Sequence, residues 1–200
     1  DLLEVINPAV APPVRDAVVV AGYAHDVGKS HEIWQDALCA LATPAERDRV
    51  AAGRPWAKSG GDGQLIFAGG VTFRHELASL LLLDGPLRAL LDGVEDPDLV
   101  RYLVLAHHGK LRTRVRGADD TDRDVILGLR HGGIVTSPAM LGLPAGELTV
   151  DIEQFGVDSE RSWTRTAFGL RDRYGPFLLA YLETLVRIAD WRASAMRAGH

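Results

Sequence analysis

The 200-residue sequence predicts an all-α fold with one short strand pair in the 117–160 region. Three observations carry that expectation. Apolar residues recur at helical spacing in several long stretches, and glycine and proline sit mostly at the ends of those stretches. Between Gly117 and Gly156 the helical period is lost. A chain of this length that is 46% hydrophobic and 24% charged has enough apolar material for one well-buried domain, so a single domain spanning 1–200 is expected.

Each element has its own warrant. Val14 to Tyr23 is a dense apolar run that ends at His25-Asp26, and Gly28 is a plausible stop for it. A short helix is expected from His31 to Leu41, with Ser30 as its N-cap and Glu32 in the favourable first turn. The glycines and the Arg54-Pro55 step make Gly53 to Gly63 a loop. Further helices are expected over Thr72 to Leu83, Pro97 to Ala106, Ser162 to Tyr174 and Pro176 to Met196, with a short strand around Glu147 to Phe155. No internal repeat, heptad array or low-complexity tract is present.

Composition excludes several classes of function. Cys39 is the only cysteine, so no intramolecular disulfide forms, which fits a reducing cytoplasm, and a small core residue is its plain role. No stretch reaches the apolar length of a membrane span, and the run from Val18 to Ala21 lacks the flanks of a signal peptide. A soluble, cytoplasmic protein with no membrane partner is expected. The net charge of −5 argues against a surface that grips nucleic acid everywhere. Two basic clusters, Lys110, Arg112, Arg114 and Arg116, then Arg161, Arg165, Arg171 and Arg173, either meet phosphates or form solvated faces.

The chemistry lies in four separated pieces: His25-Asp26, His75, His107-His108 and Asp190. Imidazole suits the later first-row divalent metals, carboxylate adds charge and bridges ions, and a metal pair serves phosphate-ester hydrolysis. Consecutive residues diverge by about a hundred degrees on an ideal helix, so His25 and Asp26 serve one centre best at a helix end. Val27-Gly28-Lys29 supplies that end, Asp26 is suited to bridge two ions, and Lys29 is close enough to reach a bound phosphate. The bland alternative is a terminal histidine beside a capping aspartate. His75 shares an inward helical column with Ala78, Ser79 and Leu82, as a ligand or as a hydrogen-bonded core histidine, while Glu76 points off that column as a supporting or surface residue. His107 and His108 end an apolar helix at Gly109, whose tolerance of the left-handed conformation lets two adjacent imidazoles converge. Asp190 is a carboxylate in an otherwise apolar helix, and its partner is either a metal or Arg187.

His25-Asp26 with Gly28-Lys29, then Arg74-His75-Glu76-Leu77-Ala78-Ser79, then Ala106-His107-His108-Gly109, then Ala189-Asp190-Trp191-Arg192-Ala193-Ser194, resemble the HD nuclease domain of CRISPR-associated type I helicase-nucleases. The similarity spans nearly the whole chain. Trp56-Ala57-Lys58-Ser59-Gly60 and the stretch from Gly175-Pro176-Phe177 to Tyr181-Leu182-Glu183 resemble the variant subtype in which this domain follows the helicase. The resemblance implies an all-helical HD fold, part of a longer helicase-nuclease, that cuts single-stranded DNA with two divalent ions. It assigns His25, Asp26 and Asp190 to one ion, with Asp26 bridging to a second ion held by His75, His107 and His108, and Lys29 steadying the scissile phosphate. Transition metals (Mn, Ni, Co or Fe) are expected ahead of Mg. Lys58, Lys110 and Arg112 are the basic residues expected to meet the nucleic acid. Implied partners are single-stranded DNA, a helicase domain in the same or a partner chain, and an RNA-guided surveillance complex.

One departure bears on metal occupancy. Family members usually carry a histidine upstream of the His-Asp pair, and no histidine precedes His25, so the first ion is expected to be one protein ligand short. Two other functional readings stay open on the residues alone, an HD nucleotide phosphohydrolase and a catalytically impaired binding or docking module.

The remaining signals have plainer readings. Ala52 and Ala57 stand where a phosphate-binding Walker loop ending in Lys58-Ser59 needs glycine. Ser79, Ser137 and Ser194 lack a nucleophile elbow, and nothing beside Cys39 activates a thiolate. His31, His131 and His200 are expected to face solvent. Trp34, Trp163 and Trp191 are expected to be core anchors, and Trp56 in its glycine-rich loop is suited to stack on a nucleotide.

Overall fold

A computed structural model describes residues 11–44, 46–47, 63–70, 72–109, 112–113, 115, 122–155 and 162–198. Among them are six α-helices and two small antiparallel strand pairs, so the mostly helical expectation holds. No helix among the described residues is long and apolar enough to cross a membrane. The chain divides into two compact units, one comprising Asp1–His25, Leu90–Arg114 and Glu153–His200, the other Asp26–Ala89 and Val115–Ile152. One of its boundaries falls on the peptide bond between His25 and Asp26.

In the first unit, helix α1 (Pro12–Ala24) begins with two prolines where missing amides cost nothing, and buries Val14, Ala17, Val18, Ala21 and Ala24. That spacing forms one stripe, and the helix packs against α4 (Pro97–Ala106) and α6 (Pro176–Ala198). Helix α4 has the predicted bounds. Asp96 caps its first turn by accepting from the Leu99 amide at 3.2 Å, and its other carboxylate oxygen accepts from Arg173 at 2.5 Å and Tyr174 at 2.7 Å, both on α5 (Trp163–Tyr174). Trp163 is a buried anchor as expected, but Trp191 is 62% exposed, with Arg187 over its ring. The apolar character around Asp190 suggests the opposite; Leu179, Leu182, Leu185 and Val186 supply the buried face of α6 instead.

In the second unit, the 3-10 turn Val27–Ser30 is followed in the sequence by α2 (Glu32–Leu41) and α3 (His75–Asp84). Every residue of α3 from His75 to Leu83 is buried, and the turn packs against it. Helix α3 starts at His75 rather than Thr72 because the Arg74 amide donates to the Leu127 carbonyl, so the chain before it is extended. The N-cap of α2 is His31, not Ser30. The His31 ring accepts from the Ile33 amide at 3.2 Å, while the Ser30 hydroxyl turns back to the Val27 carbonyl. His31 is therefore buried rather than solvent-facing, and His131 is exposed as expected. Cys39 is half-buried.

Two hairpins stand in place of the single expected strand pair. Strand β1 (Val125–Ile126) pairs with β2 (Leu129–Arg130), and β3 (Ile134–Ser137) pairs with β4 (Gly146–Thr149) with Ile134 opposite Thr149. The strand expected to reach Phe155 stops at Thr149, and Glu153–Phe155 is a 3-10 turn. The β3–β4 hairpin packs against α3.

Candidate metal centre

The first unit gathers His25, His107, His108 and Asp190. His25 follows the last residue of α1, and its Nδ1 lies 2.8 Å from the Gly22 carbonyl oxygen. His107 follows α4 in the same way, with Nδ1 2.7 Å from the Val104 carbonyl oxygen. A carbonyl only accepts, so each Nδ1 carries the proton and each Nε2 is left with its lone pair. That is how a ligating histidine is usually prepared, with one nitrogen anchored to backbone and the other turned to the ion. The His25 and His107 rings meet edge-on with centroids 4.9 Å apart, and a ring nitrogen of each lies within 4.8 Å of the other. His25 Nε2 is 3.7 Å from Asp190 Oδ1, so Asp190 faces a histidine while Arg187 lies over Trp191.

His108 joins this cluster through its neighbour. Helix α4 ends at Ala106, and Gly109 takes φ +72° while its amide reaches back to the Ala106 carbonyl at 2.6 Å. The reversal leaves the His107 and His108 rings 4.0 Å apart, which an unbroken helix would have splayed. Both His25 and His107 are buried, and Asp190 keeps 21% of its side chain exposed.

The second unit gathers Asp26, Lys29 and His75. Asp26 precedes the 3-10 turn, Oδ2 accepts from Lys29 Nζ at 2.7 Å, and Oδ1 lies 3.2 Å from His75 Nε2. Glu76 Oε2 lies 3.4 Å from His75 Nδ1. Carboxylates thus flank both nitrogens of the His75 ring, Asp26 on the Nε2 side and Glu76 on the Nδ1 side. Glu76 is 1% exposed, so it is neither a surface residue nor off the inward face, because every face of α3 is inward. Trp34 is a half-buried residue of this cluster rather than a remote core anchor: its ring meets His75 edge-on at 4.9 Å, and Lys29 Nζ sits over it at 5.5 Å.

Backbone contact sets this second cluster. The Gly28 amide donates to the Ser79 hydroxyl at 2.8 Å, and a Cβ on Gly28 would collide with the His75 carbonyl oxygen. Gly28 thus ends no helix; it lets the turn carrying Asp26 and Lys29 lie directly on the helix carrying His75. Glu76 and Ser79 are the residues that sequence reasoning undervalues. Their signal is present in Arg74-His75-Glu76-Leu77-Ala78-Ser79, where polar side chains interrupt a run otherwise suited to full burial.

The remaining candidates separate from these clusters. Arg112 is held by Glu183, with Nη2 2.7 Å from Oε2 and half of its side chain in solvent. Buried Glu183 also accepts from the Tyr102 hydroxyl at 2.7 Å, and burial first, then that hydrogen bond, pushes the phenol well above its ordinary pKa. The same carboxylate's hydrogen bond with Arg112 is the main reason that the guanidinium is held above its own. Lys58, Lys110, Arg114, Arg116, Arg161, Trp56 and His200 lie outside the described residues.

Buried imidazoles with backbone-anchored Nδ1 atoms, set beside carboxylates, fit divalent metal ions by the chemistry and preparation of the donor atoms. The family model described as Cas3, HD domain matches residues 6–198. Neither the search of curated proteins nor that of solved structures gives a match. Nearly the whole length matches one family, and the donor chemistry agrees with it: the chain belongs to the HD-domain family of Cas3, the metal-dependent nucleases of CRISPR systems.

Proposed function

We propose that this chain hydrolyses phosphodiester bonds of single-stranded DNA in CRISPR interference, using two divalent ions of transition type. The observation that carries the reading is the preparation of the histidines. His25 and His107 each spend Nδ1 on a backbone carbonyl, so each offers Nε2 as a donor in a fixed direction. On the ligand set that the family resemblance implies, His25, Asp26 and Asp190 would hold one ion, and Asp26 would bridge to a second held by His75, His107 and His108. When bound, such a pair supplies an activated water and neutralises charge on the phosphate oxygens.

The protein's own groups do the rest. Buried Glu76 sets its carboxylate 3.4 Å from His75 Nδ1, placing negative charge beside a proposed ligand. Lys29 brings a buried cation to the phosphate, worth more there than at the surface because little water competes. Lys58, Lys110 and the exposed part of Arg112 are proposed to contact the DNA backbone. The domain is proposed to span 1–200 within a longer helicase-nuclease, to work with a helicase domain of the same or a partner chain beside an RNA-guided surveillance complex, and to act in the cytoplasm.

The test offers circular single-stranded DNA and a panel of nucleotides with Mn²⁺, Ni²⁺, Co²⁺, Fe²⁺ or Mg²⁺. Opening of the circle with a transition ion, its loss on chelation, and its loss in His25→Ala and Asp26→Ala support the reading. Turnover of nucleotides with intact circles makes the chain an HD phosphohydrolase of small molecules. Inertness with every ion makes it a binding module.

A further inference from the structure

The Lys29 ammonium occupies a position that an incoming ion needs. Its Nζ lies 2.7 Å from Asp26 Oδ2, and the other oxygen of the same carboxylate faces His75 Nε2 at 3.2 Å. Lys29 is 9% exposed, its ammonium rests over the Trp34 ring at 5.5 Å, and its backbone carbonyl accepts from the Gln35 side-chain amide at 2.5 Å. Backbone and aromatic face together keep the cation in the site. They give it no second negative charge.

We infer that Lys29 couples ion binding to phosphate binding by exchanging the Asp26 carboxylate for the substrate's phosphodiester. This rests on the metal-dependent reading above and adds to it an order of events. A divalent ion that takes Asp26 repels the ammonium and displaces it from Oδ2. A buried ammonium without an anion is costly, and a phosphodiester entering beside Asp26 relieves that cost. The two ligands therefore favour each other, and by thermodynamic linkage the factor is the same in both directions. Without DNA, Lys29 weakens ion binding and keeps the hydrolytic centre poorly loaded. Trp34 is the positioning residue in this scheme: its ring stabilises the ammonium while it changes partners.

The test measures Mn²⁺ binding rather than turnover, through the paramagnetic resonance signal of free Mn²⁺. The chain is titrated alone, with dimethyl phosphate as an anionic diester, and with trimethyl phosphate as its uncharged counterpart. Dimethyl phosphate is expected to tighten Mn²⁺ binding on the order of tenfold, the usual scale of such coupling, and trimethyl phosphate to leave it unchanged. Lys29→Gln is expected to bind Mn²⁺ more tightly than the parent without any diester, and to gain nothing from dimethyl phosphate; Lys29→Arg keeps the coupling. Mn²⁺ binding by the parent that ignores dimethyl phosphate overturns the inference and leaves the metal-dependent reading standing. A folded Lys29→Gln that binds Mn²⁺ no better than the parent, or that keeps the response to the diester, overturns it in the same way. Failure of the parent and of Lys29→Gln to bind any Mn²⁺ overturns both.

Discussion

The Gly28 amide donates to the Ser79 hydroxyl at 2.8 Å, joining residues 51 positions apart. The bond is buried, so Ser79→Ala leaves an amide without an acceptor and is expected to cost about 1–3 kcal/mol of unfolding free energy. Gly28→Ala is expected to cost more, because the added methyl meets the His75 carbonyl and lies 2.6 Å from the Ser79 amide, backbone atoms that a side-chain rotation cannot move aside. Gly22, inside α1, has nothing within 4 Å of an added Cβ, and Gly22→Ala is expected to stabilise by about 0.5–1 kcal/mol through helix propensity. Urea unfolding of the three variants orders them, and a Gly28→Ala protein as stable as Gly22→Ala would rule out the close approach of turn and helix.

His31 makes stability depend on pH. Burial, the largest cause, lowers its pKa below the ordinary 6.5, against the opposing influence of Glu32 and of its hydrogen bond to the Ile134 backbone. The ring caps α2 as an acceptor, a role open only to the neutral form. Below 6.5 the unfolded chain takes up a proton that the folded chain still refuses, so this contribution is complete above that pH and is lost as pH falls toward the folded pKa. His31→Asn keeps an acceptor and carries no titrating group. The urea midpoint of the parent is expected to fall more steeply below pH 6.5 than that of the variant; parallel curves would show that the ring charges freely in the fold.

Glu183 ties Tyr102 and Arg112 together, and the two partners differ in worth. The Tyr102 hydroxyl is buried and loses its acceptor in Glu183→Ala, at about 1–3 kcal/mol. Half of the Arg112 side chain is in solvent, so the lost ion pair adds less than about 1 kcal/mol. Tyr102→Phe in the Glu183→Ala background is expected to recover part of the loss by removing the stranded hydroxyl, whereas Arg112→Ala there is expected to change little. A double-mutant cycle with the opposite ranking would make the guanidinium the main partner.

Helix α4 is legible to its last residue because local chemistry marks both ends: Asp96-Pro97 starts it with a cap and a proline, and Gly109 reverses the chain just after it. The same reasoning locates His25 and Asp26 at a helix end. Helix α3 is less legible. Periodicity identifies an outward face, and a helix buried on all sides has none, so Glu76 reads as peripheral while it lies 1% exposed against His75. The Ser79 contact and the His31 cap are hidden for another reason: one depends on a partner distant in sequence, and the other uses an imidazole where hydroxyls and carboxylates are the usual caps. Strands of two to four residues carry too few side chains for a period-two signal, which is why two hairpins read as one short strand pair.

Asp190 separates a metal ligand from a packing residue. Its carboxylate is 3.7 Å from His25 Nε2 and 21% exposed, and the Ser194 hydroxyl at 3.5 Å is too far for a strong hydrogen bond. Without metal, Asp190→Asn is therefore expected to change stability by less than about 0.5 kcal/mol, the ordinary range for a substitution that breaks no buried network. With metal the expectation reverses. An ion that binds only the folded chain stabilises it by about 2.7 kcal/mol at a hundredfold excess over its Kd, which raises the melting temperature of the parent. Loss of a ligand is expected to weaken binding by at least the roughly 10–100-fold that loss of a supporting carboxylate costs, so most of the rise disappears in Asp190→Asn at the same ion concentration. Arg171→Ala, which breaks an exposed pair with Asp172 and a contact with the Phe168 ring, is the control and keeps the full rise. Equal thermal shifts with Mn²⁺ or Ni²⁺ in the parent and in Asp190→Asn would leave His25 as an ordinary neighbour of that carboxylate and take Asp190 out of the ligand set.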